Sequence, residues 1–135
     1  MAKLYNLPRG SNVLDEILKI ARTEGILTGS VIATGRVGDL TLSYYDDDTR
    51  KYQEHMLEGN YEVVSLIGNI TLKDGAPMLH AHGTFADKDL KVVGGHLVSA
   101  TVLPVLEVVI NPTENTVSRR FDEGLQLTVI EKTVE

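Results

Sequence analysis

The sequence predicts an α+β, sandwich-like fold in which a largely antiparallel sheet packs with one main N-terminal helix. Three observations predict it. Val, Ile and Thr number 15, 8 and 12, together 35 of 135 residues, and β-branched side chains are stiff at χ1 and pack well on a pleated surface. Only one stretch, near the N-terminus, repeats its apolar residues at helical spacing. The turn signals between the strand-like runs are short, so neighbouring strands connect as hairpins and run antiparallel.

The helix is expected over about residues 12–24. Ser11 can serve as N-cap, with Asn12 the other candidate. Val13, Leu14, Ile17, Leu18 and Ala21 then form one apolar stripe. Asp15 and Glu16 in the first turn and Lys19 and Arg22 later suit the helix dipole, and Gly25 is a stop signal. From Ile26 onward the pattern changes. Strands are expected at Thr28–Val37, Leu40–Tyr45, Lys51–Leu57, Tyr61–Leu72, Pro77–Ala86, Lys91–Val98, Val105–Ile110 and Leu125–Ile130. Turns are expected at Gly38-Asp39, Asp46-Asp47-Asp48, Gly59-Asn60, Asp74-Gly75, Asp87-Lys88-Asp89, Asn111-Pro112 and Asp122-Glu123-Gly124. The triple aspartate lacks the alternating ligands, glycine and terminal glutamate of a calcium loop, and reads as a solvated turn.

The length of 135 residues fits one domain, 1–135, that buries roughly two thirds of its surface on folding. There is no Cys. That excludes disulfides, thiolate metal sites, iron–sulfur clusters and a Cys nucleophile. The net charge of −6 argues against a protein whose main work is gripping nucleic acid. The N-terminal residues lack the apolar run of a signal peptide, and no stretch reaches the length of a membrane span. The expectation is a cytoplasmic protein without membrane contact.

The chemistry-bearing residues are histidines. His80 and His82 are two apart, which on a strand puts both on one face, about 7 Å apart along the chain. A hairpin turn centred on Lys88 would place His96 directly across from His80, with Cβ atoms about 5 Å apart. A one-residue slip would move His96 to the other face, and Gly94-Gly95 makes a bulge possible there. Three convergent neutral imidazoles suit zinc, or nickel, cobalt or ferrous iron, with a fourth position for water, substrate or carboxylate. The alternative is a polar histidine cluster on a sheet face or subunit contact. Gly83, Gly94 and Gly95 would let a ligand approach the backbone. Glu107 is a possible fourth ligand, or a partner that orients an imidazole. His55 is expected at the surface or in a cross-strand pair.

Other chemistry finds little support. Ser30 and Ser65 lack the context of a nucleophile elbow. Gly35-Arg36-Val37-Gly38 is not a phosphate loop. Arg119-Arg120, the only Arg-Arg pair, reads as an exposed strand or loop feature.

Several segments together resemble the plants-and-prokaryotes conserved (PPC) domain. They are Gly59-Asn60-Tyr61-Glu62-Val63-Val64-Ser65-Leu66-Ile67-Gly68-Asn69-Ile70, Leu79-His80-Ala81-His82-Gly83, Val93-Gly94-Gly95-His96-Leu97 and Glu107-Val108-Val109-Ile110. The resemblance covers essentially the whole chain. It implies a compact domain with an antiparallel sheet that assembles as a homotrimer. It also implies a metal, generally zinc (Zn2+), on the histidines matching His80, His82 and His96. In plant members the domain follows an AT-hook, and those proteins are nuclear regulators of transcription. Here no Arg-Gly-Arg or Gly-Arg-Pro occurs, and Asn60 stands where the plant motif Gly-Arg-Phe-Glu-Ile-Leu-Ser-Leu has Arg.

Three functional readings follow. The first is a metal-binding, homotrimeric regulatory or interaction module that engages other proteins. The second is a DNA-binding or transcription-associated protein; the acidic balance argues against direct DNA binding, since a trimer would carry three times −6. The third is a metal-dependent enzyme in which an open zinc position activates water, with Glu107 as the candidate base.

Overall fold

The computed structural model describes residues 1–131. Its elements are β1 (Lys3–Leu7), α1 (Val13–Glu24), β2 (Gly29–Asp46), β3 (Lys51–Lys73), β4 (Ala76–Ala86), β5 (Val92–Pro112), β6 (Ser118–Asp122) and β7 (Leu127–Ile130). All pairings are antiparallel except that of β3 with β6. The expected class therefore holds, with one helix against a largely antiparallel sheet. No helix among the described residues is long and apolar enough to cross a membrane.

The helix begins where the apolar stripe does, capped by Asn12, whose Oδ1 accepts from the Asp15 amide at 3.1 Å. Of the two candidate caps, then, the structure uses Asn12; the Ser11 hydroxyl instead donates to the Pro8 carbonyl. Gly25 ends the helix in the left-handed region (φ 67°), and its amide reaches the Ala21 and Arg22 carbonyls. Val13, Ile17 and Ala21, one turn apart, are fully buried against the inner face of the sheet.

The long strands correct several expected turns. Gly38-Asp39 and Gly59-Asn60 were expected to reverse the chain. Instead Gly38 pairs with Asn60 inside one continuous β2–β3 ladder, with a register shift beside it. Asp39 (φ 47°) and Gly59 (φ 89°) take left-handed conformations there, which makes a bulge and a bend instead of a reversal. The chain turns only at the triple aspartate, where Asp46 Oδ1 accepts from the Asp48 and Thr49 amides. Likewise β5 runs unbroken through Asn111 to Pro112. Strands β1 and β6 were not expected from the sequence; each is five residues long.

The pairings close on themselves. Strand β2 pairs with β3 and β5, β3 pairs with β4, and β4 pairs with β5. Inside this circuit lie Val31, Val37, Leu40, Ile70, Phe85, Val102, Leu106, Val108 and Ile110, all at most 1% exposed. On β4 the alternation is regular, with Leu79, Ala81, Gly83 and Phe85 buried and His80 and His82 between them on the outer face. The β6–β7 hairpin then lies along the end of β3, where Lys73 pairs with Arg119, and flanks that outer face.

Candidate metal centre

Strand β4 carries two of the histidines and β5 the third. The two-residue Asp74-Gly75 turn, with both φ values positive, fixes β4 against β3. The loop from Asp87 to Lys91 then sets β5 against β4. Asp87 Oδ1 accepts from the Asp89 and Lys91 amides, and Leu90 adopts φ 63°. Ala86 pairs with Val92, so the reversal centres on Asp89, not on Lys88 as expected. Moving the centre by one residue moves every partner by two. His96 therefore faces His82, not His80, and it stays on the same face.

The three imidazoles do come together. Each offers a ring nitrogen within 4.8 Å of the others. His80 Nε2 lies 3.2 Å from His82 Nε2, and the ring centroids are 4.9 to 5.4 Å apart. Two nitrogens held about 2.0–2.1 Å from one tetrahedral ion would sit roughly 3.3 Å apart, so this pair already has the spacing of two ligands. His80 and His96 are half-buried and His82 is exposed.

The electrostatics keep the donors available. Burial, then the neighbouring Arg119 guanidinium, then His96 and His82, push His80 down to about 4. Burial and then His82 hold His96 below its ordinary value. Both rings are thus neutral near pH 7, the form that ligates. His96 Nδ1 is buried and has no protein partner. Arg119 Nη2 is 3.4 Å from His80 Nδ1. A guanidinium only donates, so Nδ1 accepts, and the proton between the two Nε2 atoms belongs to His80. An ion held by both Nε2 atoms would replace that proton.

Other expected participants lie elsewhere. Glu107 pairs with Asn6 and Thr34 and lines a separate surface groove with Leu4, Ile32 and Val109. Within one chain it is not among the residues gathered at the histidines. The cause is the length of β5, which carries Glu107 eleven positions past His96 to the other end of the strand. Gly83 faces inward, where an added Cβ would lie 2.7 Å from the Phe85 ring, so it serves packing and not ligand access. Gly94 is pressed against the Gly83 carbonyl, and Gly95 lines a cleft with His82 and His96. His55 is exposed opposite Leu42, as expected. The Ser65 hydroxyl bonds Thr84 Oγ1 at 2.9 Å.

Two further residues stand at the site without a local sequence signal that places them there. Tyr52 stacks on His96 at 5.2 Å between centroids. Arg119 was expected to be exposed, yet it is only 8% accessible, while Arg120 points outward. Strand alternation within Ser118–Asp122 would have separated the two, had that strand been recognised.

A model of the Plants and Prokaryotes Conserved (PCC) domain matches residues 4–114. Three solved structures share the fold over nearly their whole length. A plant- and prokaryote-conserved protein of Pyrococcus horikoshii is 29% identical, with a TM-score of 0.89, covering 99% of this chain and 94% of that one. A metal-containing protein of Archaeoglobus fulgidus is 31% identical, with a TM-score of 0.91 and coverages of 98% and 94%. A Bacteroides thetaiotaomicron protein proposed to bind DNA is 25% identical, with a TM-score of 0.92 and coverages of 96% and 91%. No curated protein matches this sequence.

Proposed function

Because the chain belongs to the Plants and Prokaryotes Conserved domain family, we propose that it is a metal-binding module. In this reading His80, His82 and His96 hold a divalent transition metal, zinc first, and the protein works as a regulatory or interaction unit. One observation carries the proposal: three imidazoles present ring nitrogens within 4.8 Å of one another on one sheet face. The metal-containing character of the Archaeoglobus fulgidus relative supports it. The ion would supply a fixed positive charge and a Lewis-acidic point. The histidines would orient it, and Tyr52 would pack against the His96 side. No carboxylate among the described residues joins the cluster, so a hydrolytic role lacks the base that Glu107 was expected to provide.

The proposal includes assembly as a homotrimer. Support comes from a row of outward residues that runs across the sheet by direct pairing: Leu4, Val109, Ile32, Ile67, His82 and His96. Leu4, Ile32 and Ile67 are 70%, 53% and 64% exposed. A contiguous exposed apolar row of this kind marks a contact surface, and further copies of this chain would cover it.

DNA binding is the second reading, favoured by the description of the Bacteroides thetaiotaomicron relative. The net charge of −6 weighs against it. Elemental analysis with light scattering on natively purified protein tests the first reading. The expected result is one transition-metal ion per chain in a particle of three times 14.8 kDa. A metal-free monomer that shifts a DNA duplex at low salt would reverse the ranking.

A further inference from the structure

Arg119 is the unusual charge in this molecule. It is 8% exposed, yet no Asp or Glu among the described residues lies within ion-pair distance of it. Neutral acceptors hold it in place. Nε donates to Thr71 Oγ1 at 2.8 Å, Nη1 to the Thr128 carbonyl at 3.2 Å, and Nη2 to Asn69 Oδ1 at 3.0 Å. The longest contact, 3.4 Å, is to His80 Nδ1. A buried cation is costly unless an anion answers it.

The guanidinium lines a cleft of about 640 Å³ between the outer face of the sheet and the β6–β7 hairpin. The chain carries nineteen acidic residues against thirteen basic ones. Even so, no carboxylate among the described residues lies on this wall. The apolar part of the lining comes from Met78, Phe121, Leu127, Val129 and Ile130, and the polar part includes Asn69 and two histidines of the candidate metal centre, His80 and His96. A concave, apolar site with a few convergent polar groups is the usual form of a small-molecule site.

We propose that this cleft binds a small organic carboxylate, its head on Arg119 and Asn69 and its apolar body against Phe121, Leu127 and Ile130. The planar guanidinium fork matches a carboxylate. A carboxylate oxygen displaces the long His80 contact and supplies the missing counter-charge. The apolar lining selects an organic acid over a bare inorganic anion. The cleft shares His80 and His96 with the histidine cluster, but the carboxylate's charged contact is Arg119, so binding is expected with or without a metal.

Titration calorimetry with hexanoate, 1-hexanol and inorganic phosphate tests it, on protein as purified and after EDTA treatment. The expected result is saturable binding of one hexanoate per chain in both preparations, with hexanol and phosphate at least tenfold weaker. Arg119→Met weakens hexanoate at least tenfold, and Phe121→Ala weakens it severalfold. If Arg119→Met does not fold, wild-type NMR decides. Hexanoate then shifts the Arg119 Nε–H signal and the Thr128 and Val129 amides. Shifts confined to other residues overturn the proposal, as does equal binding of hexanol or phosphate. Binding that vanishes with EDTA yet survives Arg119→Met also overturns it, since the metal would then be the carboxylate's partner.

Discussion

His82 lies directly across from His96 on adjacent antiparallel strands, with their ring centroids 5.4 Å apart. His80, two residues earlier on β4, places its Nε2 3.2 Å from that of His82. The cluster is therefore a property of strand alternation and hairpin register, not of loop conformation. A site on paired strands is rigid before any ligand arrives. Its response to mutation should accordingly be local.

His82→Ala and His96→Ala are each expected to abolish metal retention while leaving the fold intact. His82 is exposed and His96 half-buried, so neither fills the core. Losing an outer partner of a metal ligand typically weakens binding about 10–100-fold, and losing a ligand itself should exceed that range. Added zinc should raise the melting temperature of the wild type through preferential binding to the native state, but not that of either variant. His55→Ala is the control and should retain metal. Unchanged metal content in both test variants contradicts the assignment.

Without metal, the same histidines should make the protein sensitive to acid. Burial, with Arg119 close by, pushes folded His80 down to about 4, whereas the unfolded chain takes up that proton near the ordinary value of 6.5. Between these values the unfolded state binds more protons, so stability rises with pH and falls on acidification. His96, lowered mainly by burial, acts in the same direction. Urea titrations of EDTA-treated protein from pH 7 to pH 4 should show a falling midpoint. His80→Asn should flatten part of that fall; identical profiles for the two proteins contradict the prediction.

Local signals were the legible part. The helix, its Gly25 stop, the Asp74-Gly75 turn and the shared face of His80 and His82 all follow from periods and turn chemistry within a few residues. What stayed hidden depended on distant partners. The β4–β5 reversal needs the Asp87 side chain to organise a five-residue loop, and a loop two residues shorter would move His96 by two along β4, opposite His80. Gly38 and Gly59 look like turns until Asn60 and Gly38 are known to pair. Arg119 reads as a surface charge because nothing near it in sequence shows that β6 will lie beside β3. Glu107 is a possible ligand by residue type, but β5 carries it eleven positions past His96 to the strand's other end.

Asn12→Ala tests the helix start. The side chain caps the helix through Oδ1 and also donates from Nδ2 to Ser99 Oγ on β5 at 3.0 Å. Removing a cap costs about 1 kcal/mol, with a range of 0.5–2. The second bond ties the helix to the sheet, so the upper half of that range is expected. Asn12→Asp keeps the cap and loses the donor, and should cost less. Denaturant midpoints measure both; a loss no larger for Ala than for Asp contradicts the capping role.

Gly35→Ala should be the most damaging small substitution in β2. Gly35 has φ 140°, a conformation that side chains rarely adopt, and an added Cβ would lie 2.4 Å from the Val105 carbonyl oxygen and 2.9 Å from Leu106 Cα. Both obstacles are backbone of the paired strand β5, so neither can rotate aside. Strain at the dihedral alone costs of order 1–3 kcal/mol, and displacing β5 adds to it. The expected loss is about 3 kcal/mol or more, read as insoluble protein or a large drop in denaturant midpoint. Gly59→Ala separates the two causes. Gly59 also has a positive φ, 89°, but nothing lies within 4 Å of its added Cβ, so only the dihedral term remains, about 1–2 kcal/mol. Equal losses at the two positions would show that close approach of β2 and β5 contributes nothing, and would contradict the packing account of the sheet bend.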